Sequence, residues 1–151
     1  MRAVVQRVSR GEVRVGGSVV ASIGHGLVVL VGVAFGDTEA DADALGAKIA
    51  HLRMFTDDTG RMNRSIVEAG GSVIVISQFT LLADLRKGRR PSFTGAANPE
   101  SAAPLVESVA AALSAVGVRV QTGRFGAHME VDLINDGPVT LIVEVVDGTV
   151  H

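Results

Sequence analysis

The sequence contains no cysteine, no tryptophan and no tyrosine, so five phenylalanines are its only aromatic residues. Without cysteine there is no disulfide bond, thiolate metal ligand or cysteine nucleophile. Phenylalanine alone remains as a platform on which a flat ligand could stack. No apolar run reaches the ~20 residues of a membrane-spanning helix, so no membrane partner is expected. Residues 1–10 alternate like a strand rather than a signal peptide, and we therefore expect a cytoplasmic protein.

The residues that are present are typical of a folded chain. Hydrophobic residues make up 47% of the 151 positions, and the length fits a single domain, residues 1–151. Fourteen basic against sixteen acidic residues give a net charge of −2. That charge excludes a protein that coats nucleic acid through bulk positive charge.

The hydrophobic pattern predicts mainly strands. Residues 2–9 alternate, residues 12–15 and 18–23 form a hairpin, and the apolar run 27–35 predicts a strand buried on both faces. Further strands are predicted over 73–82, 118–122, 128–134 and 139–146.

Two principal helices are predicted between these strands. The first begins near Thr38, with Asp41 completing a capping box, and the second has Asn98 as its N-cap and Pro99 at its first position. Their predicted apolar faces are Leu45, Ile49 and Leu52 on the first, and Leu105, Val109, Ala112 and Val116 on the second. The fold class is therefore α+β, with mainly antiparallel strands in barrel-like sheets.

The usual catalytic and metal-binding patterns are missing. The histidines have no metal-ligand spacing, and there is no nucleophile elbow or phosphate-binding loop. We expect no metal and no cofactor. A Ser-His-Asp triad assembled by the fold stays open.

Two polar segments interrupt apolar strands. The core strand that starts at Val73 becomes polar at Ser77-Gln78-Phe79-Thr80, where buried polar groups would need partners. These residues either end a strand in water or form a site. Asn135-Asp136-Gly137-Pro138 is predicted to be a turn between two strands, and a cis Gly–Pro bond there would cost only about 0.5–1 kcal/mol.

A third segment is basic. Arg86, Lys87, Arg89 and Arg90 place four cations within five residues. They form either a solvated loop or a local contact for a polyanion.

Together these segments resemble the D-aminoacyl-tRNA deacylase family. The matching segments are Gln6-Arg7-Val8, Ile23-Gly24-His25-Gly26-Leu27, Arg61-Met62-Asn63, Gly70-Gly71-Ser72, Ser77-Gln78-Phe79-Thr80-Leu81, Arg90-Pro91-Ser92-Phe93, Thr122-Gly123-Arg124-Phe125-Gly126-Ala127 and Asn135-Asp136-Gly137-Pro138-Val139-Thr140. Residues 146–151 extend past the match.

The resemblance implies hydrolysis of the ester that links a D-amino acid, or mischarged glycine, to tRNA. It also implies a homodimer with active sites at the subunit interface. There, Ser77-Gln78-Phe79-Thr80 of one chain would face Gly137-Pro138 of its partner, with the Gly137–Pro138 bond cis.

The residues suggest how such chemistry would work. Neither motif holds a strong base, but an aminoacyl ester is already activated and the neighbouring ribose hydroxyl can assist its hydrolysis. The protein then has to position the ester and stabilise the oxyanion, with backbone N–H groups around Gln78 and Phe79 as candidates. Thr80 is either a nucleophile or an orienting group, and we favour the second because no activating base is evident.

The remaining site residues follow from the same reading. Carbonyl oxygens of Gly137 and Pro138 would accept from the substrate α-ammonium and exclude an L side chain, while glycine would pass. Arg7 would hold this motif across the interface. The other candidates are Asn135 within the motif, Met129 lining the pocket, Phe79 or Phe125 stacking on the terminal adenine, and Arg86, Lys87, Arg89 and Arg90 contacting tRNA.

Two other functions stay open at this point. The basic segment would also suit a non-catalytic RNA-binding module, although the net charge and the scarcity of aromatic residues oppose it. A small-molecule esterase of unrelated mechanism would instead act on simple esters without RNA.

Overall fold

A computed structural model describes residues 1–151 as a curled seven-stranded sheet, a separate two-stranded hairpin and three α-helices. The strands are β1 Arg2–Val15, β2 Ser18–Ile23, β3 Gly26–Gly32, β4 Phe55–Thr56, β5 Met62–Arg64, β6 Ser72–Ser77, β7 Arg119–Thr122, β8 Glu130–Val146 and β9 Thr149–Val150. The helices are α1 Glu39–His51, α2 Ile66–Ala69 and α3 Pro99–Ala115, with a 3₁₀ helix at Phe79–Leu82. None of the helices is long and apolar enough to cross a lipid bilayer.

The sheet is antiparallel on one side of β3 and parallel on the other. β1 pairs antiparallel with β2, β3 and β8, whereas β3, β6 and β7 run parallel. The α+β class is confirmed, and the two parallel pairs are additional to the prediction. They arise because α1 and α3 each lie between consecutive parallel strands, which need a crossover connection.

Two apolar clusters hold the elements together. The larger one joins one face of the sheet to the helices and contains Leu45, Ile49 and Leu113, all fully buried. The smaller one lines the other, curled face and contains Val28 and Ile74. Apolar residues on both faces of β3 explain its continuous hydrophobic run.

The predicted helix starts are confirmed. The Asp41 carboxylate accepts from the Thr38 amide at 2.8 Å, and the Asn98 side chain accepts from the Ser101 amide at 2.9 Å. The predicted apolar face of α3 is partly right: Val109 is buried and Leu105 packs half-buried against the larger cluster, whereas Val116 follows the last helical residue and is exposed. The residues that pack inward are Ala102, Val106, Val109, Ala110 and Leu113, since α3 contacts both the sheet and α1.

Two predicted strand boundaries are also wrong. The strand predicted over 73–82 ends at Ser77, and a 3₁₀ helix follows. The predicted turn at residues 135–138 lies inside the single strand β8, where residues 136–139 bulge opposite Arg7. The reason is long-range pairing, because Val8 and Gln6 of β1 pair with Asn135 and Thr140 on either side of the bulge.

A side chain closes the curled sheet between β2 and β7. The Gln121 amide donates to the Ser22 carbonyl oxygen at 2.7 Å and accepts from the Ser22 amide at 2.8 Å. This pair of bonds imitates the pairing of two strands where no strand pairing exists.

Candidate active site

A cavity of about 560 Å³ opens where β3 and β6 end. Ser77, Gln78 and His128 contribute polar groups to it, and most of the other lining residues are hydrophobic. Three phenylalanines, Phe79, Phe93 and Phe125, line the cavity together with Met129. An apolar enclosure with a few polar groups at one side is typical of a small-ligand site.

The chain bends at Gln78, where its backbone bonds to the end of β3. The Gln78 amide donates to the Val31 carbonyl oxygen at 2.7 Å. A Cβ atom on Gly32 would lie 3.0 Å from the Gln78 carbonyl oxygen and would overlap the Leu82 side chain. A glycine at position 32 therefore lets the 3₁₀ helix lie against β3.

The bend places two backbone donors at the start of the 3₁₀ helix. The Gln78 amide is occupied, so it is not available as the oxyanion donor considered from the sequence. The amides of Phe79 and Thr80 are the first two of the 3₁₀ helix, so neither has a partner within that helix. Free N–H groups at the start of a helix are suited to binding negative charge.

Thr80 is held by an amide and not by a base. The Gln78 side-chain amide donates to the Thr80 hydroxyl oxygen. No histidine or carboxylate side chain forms a hydrogen bond with Ser77 or Thr80. The structure therefore supplies Thr80 with an orienting partner and with no proton acceptor hydrogen-bonded to its hydroxyl.

Two phenylalanines meet at the edge of the cavity. The rings of Phe79 and Phe93 are edge-to-face, with centroids 4.9 Å apart, and Phe79 remains 57% exposed. Sequence reasoning did not single out Phe93 as a site residue, although it lies in the Arg90-Pro91-Ser92-Phe93 segment. Met129 also lines the cavity, and its sulfur accepts from the Arg124 amide at 3.4 Å.

The Gly137–Pro138 bond is cis, as the resemblance implied. Gly137 has a φ of +153°, and a Cβ atom there would lie 2.5 Å from the Val139 nitrogen. The Asn135 side chain closes the base of the bulge by accepting from the Val139 amide and donating to the Thr140 hydroxyl, both at 2.8 Å. The tip of the bulge is exposed.

Arg7 anchors the bulge of its own chain. Its Nε donates to the Asp136 carbonyl oxygen at 2.9 Å, and its Nη1 donates to the Met54 carbonyl oxygen at 2.5 Å. These bonds lie within one chain, whereas the sequence reasoning placed the Arg7 contact across an interface. No residue of the bulge lines the 560 Å³ cavity, so a single chain does not bring the two motifs together.

The basic segment lies on the loop that also supplies Phe93 to the cavity. All four cations are exposed. Arg86 binds both carboxylate oxygens of Asp84, at 2.9 and 2.7 Å, which lowers the pKa of Asp84 and raises the pKa of Arg86. Lys87, Arg89 and Arg90 form no ion pair and remain free for an external anion.

Comparison with known proteins identifies close relatives. A family model described as D-Tyr-tRNA(Tyr) deacylase matches residues 4–144. The chain is 62% identical to a D-aminoacyl-tRNA deacylase from Heliobacterium modesticaldum over 144 residues, which cover 95% of this chain and 96% of the relative. It is 58% identical to one from Symbiobacterium thermophilum, with 95% of each chain covered.

Solved structures agree in fold. A protein described as c-Myc DNA unwinding element binding protein superposes with a TM-score of 0.90, at 37% identity over 97% of this chain and 99% of its own. A probable eukaryotic D-amino acid tRNA deacylase superposes with a TM-score of 0.79, covering 93% of this chain and 97% of its own. At 18% identity the second likeness concerns the fold alone.

Proposed function

This chain belongs to the D-Tyr-tRNA(Tyr) deacylase family and is an aminoacyl-tRNA deacylase, and we propose that it hydrolyses the ester between the amino acid and the tRNA by positioning the substrate, without a nucleophile from the protein. Its substrates are D-amino acids, and mischarged glycine, esterified to the terminal adenosine of tRNA. Family membership excludes the non-catalytic RNA-binding alternative. The amides of Phe79 and Thr80, at the start of the 3₁₀ helix beside the cavity-lining Ser77 and Gln78, carry the proposed mechanism.

In this mechanism water attacks the ester carbonyl carbon and a tetrahedral oxyanion forms. The amides of Phe79 and Thr80 donate to that oxyanion, where preorganised donors act most strongly. The bond from the carbonyl carbon to the ribose oxygen then breaks, and the attacking water's proton passes to the leaving ribose oxygen through the neighbouring ribose hydroxyl. Ser77 and Gln78 shape the polar wall, and Gln78 orients the Thr80 hydroxyl toward the ester or the water.

Discrimination between D- and L-amino acids is assigned to Gly137 and Pro138. Their carbonyl oxygens accept from the α-ammonium group and leave no space for an L side chain, whereas glycine has no side chain to exclude. Arg7 and Asn135 support this role by holding the bulge at both ends. A rigid backbone is a better probe of the α-carbon than a mobile side chain.

The proposal includes a homodimer. The bulge is exposed and lies outside the cavity of its own chain, so a partner's bulge is needed to complete the site. β8 also exposes large apolar side chains on either side of the bulge: Ile134, Leu141, Ile142 and Val146. Exposed apolar patches of this kind are typical of protein–protein contacts.

The tRNA approaches over the basic loop. Lys87, Arg89 and Arg90 are free to contact phosphates near the acceptor end, while Arg86 shapes the loop through Asp84. Phe79 or Phe125 provides a surface for the terminal adenine, and Met129 packs beside it. The reaction is assigned to the cytoplasm, where charged tRNA is used.

The deciding experiment compares D- and L-aminoacyl-tRNA with the same tRNA and the same side chain. We expect release of the D-amino acid under single-turnover conditions, and an L-ester that survives as long as it does without enzyme. Glycyl-tRNA should be cleaved as well. Equal cleavage of both enantiomers would contradict the assigned selectivity, and cleavage of simple esters at a comparable rate would favour a general esterase.

A further inference from the structure

A second cavity, of about 260 Å³, lies beside the base of the Gly137–Pro138 bulge. Its polar lining includes Arg7, His25, Thr56, Arg64 and Asp136. None of the roles proposed above uses this space. Arg7 and Asp136 connect it to the bulge, because Arg7 Nε donates to the Asp136 carbonyl oxygen.

Arg7, which lines this cavity, has one side-chain nitrogen that forms no hydrogen bond within the chain. Its Nε and Nη1 are bonded to carbonyl oxygens of Asp136 and Met54. Its Nη2 has no hydrogen-bond partner in the chain, yet it is not among the polar atoms sealed from solvent. The Arg7 residue is only 8% exposed and lines the cavity, so a ligand there meets an arginine with an unpaired donor.

Other donors line the same space. Arg64 uses Nη2 to bond the Glu68 carbonyl oxygen, and its Nε and Nη1 have no partner. The His25 ring packs edge-to-face on Phe55, with centroids 5.0 Å apart, and both of its nitrogens are unbonded. The Thr56 hydroxyl also has no partner.

One group in the lining opposes an anion. The Asp136 carboxylate lies 3.5 Å from Arg7 Nε. Among the lining residues, two guanidinium groups against one carboxylate leave an excess of positive charge. Guanidinium groups suit the geometry of phosphate oxygens, to which they donate in pairs.

We propose that this second cavity binds a phosphate group, held by Arg7 and Arg64 with His25 and Thr56 as further donors. The group comes either from the tRNA backbone, in which case the site extends the proposed deacylase function, or from a free phosphate compound. In both cases the ligand touches the arginine that anchors the bulge.

Binding is tested with inorganic phosphate on the full chain, by following the His25 imidazole proton resonances at constant pH and ionic strength. We expect a saturable shift in the wild type that weakens at least tenfold in Arg64→Gln. Lys48→Gln serves as the control, because Lys48 is exposed on α1 and outside the cavity. A wild-type resonance that does not respond to phosphate overturns the proposal, and so does an equal response in Arg64→Gln. This measurement needs no deacylase activity, so it can fail independently of the proposed function.

Steady-state deacylation then identifies the source of the phosphate group. If a tRNA phosphate occupies the site, inorganic phosphate raises KM without changing kcat. Arg64→Gln then lowers kcat/KM and reduces the salt slope by about one. If the ligand is a free phosphate compound, inorganic phosphate binds as above but does not compete with tRNA. Rescue of phosphate binding by Arg64→Lys would show that positive charge at this position, and not the fold, is responsible.

Discussion

At the scale of single residues, Thr80 separates two mechanisms. A hydroxyl nucleophile normally requires a base within hydrogen-bond reach, and Thr80 instead receives a hydrogen bond from the Gln78 amide. That bond occupies a lone pair on the hydroxyl oxygen and leaves its proton free to donate. The arrangement favours a hydroxyl that orients the ester or the water.

Thr80→Ala should therefore slow deacylation without abolishing it. Loss of one orienting hydrogen bond predicts a decrease of about 10–100-fold in the single-turnover rate. Thr80→Ser retains the hydroxyl and should stay close to wild type. A Thr80→Ala rate equal to the uncatalysed rate would instead support covalent catalysis.

Asp41 is a second residue whose environment sets a measurable property. The Gly148 amide, followed by the amide and hydroxyl of Thr38, donates to its carboxylate and lowers its pKa. A carboxyl whose pKa is lower in the folded state stabilises the fold above its unfolded pKa of about 3.9, and this contribution is lost as the pH falls through the folded pKa.

Asp41→Asn should thus lower the free energy of unfolding at pH 7 by about 2 kcal/mol. The difference from wild type should shrink as the solution is made acidic. Denaturant unfolding at several pH values measures both effects, with Asp43→Asn as the control because Asp43 is exposed on the same helix. A difference that does not vary with pH would show that the charge of Asp41 is not responsible.

At the scale of elements, the sequence predicted where the two principal helices begin, but it did not predict how distant strand segments pair. The starts of α1 and α3 are determined by nearby residues: Thr38 with Asp41 for α1, and Asn98 with Pro99 for α3. The course of residues 135–140 is not local, because a turn and a bulge have the same composition. Pairing with β1 on both sides decides for the bulge.

The candidate site shows the same division. Its motif residues were identified from sequence, but the end of β6 at Ser77 was not. Residues 79–82 have strand-like composition but form a 3₁₀ helix that lies close against Gly32 of β3. Which backbone amide is occupied depends on that turn, so the sequence alone included the bonded amide of Gln78 among the oxyanion donors.

The bulge provides a prediction at this scale. Gly137→Ala places a Cβ atom 2.5 Å from the Val139 nitrogen at a φ of +153°, so the bulge has to move. We expect the ratio of D- to L-ester cleavage to fall at least tenfold in a folded protein. Gly117→Ala also introduces a side chain at positive φ, but in open space after α3, and should affect only stability. If folded Gly137→Ala keeps the wild-type ratio of D- to L-ester cleavage, the bulge does not select chirality.

The basic loop supports a separate prediction. Replacing Lys87, Arg89 and Arg90 by glutamine should weaken tRNA binding and reduce the slope of log affinity against log salt by about 2–3. The fold should survive, because these side chains form no ion pair within the chain. Lys48→Gln is the single-charge control. A triple variant with the wild-type salt slope would show that the loop does not contact tRNA.

At the scale of the whole molecule, the proposal that two chains share each active site requires a homodimer. Ile142 is 68% exposed on β8 and would be covered in the proposed homodimer. Ile142→Lys should produce a monomer in sedimentation experiments and reduce deacylation along with it. Val19→Lys is a matched control, because Val19 is 52% exposed on β2. A wild-type monomer, or an active monomeric variant, would contradict an active site shared between two chains.

The pairing of β1 with β8 also affects how the chain folds. Arg2 and Glu144 are neighbours in the sheet although 142 positions separate them in the sequence. Contacts between such distant positions close large loops, which slows folding. During synthesis on a ribosome, β1 can pair with β2 and β3 first and lacks its third neighbour until β8 emerges. The Gly137–Pro138 bulge can therefore form only after β8 has emerged, so a chain truncated before β8 would possess most of the cavity residues without the element that anchors the central strand.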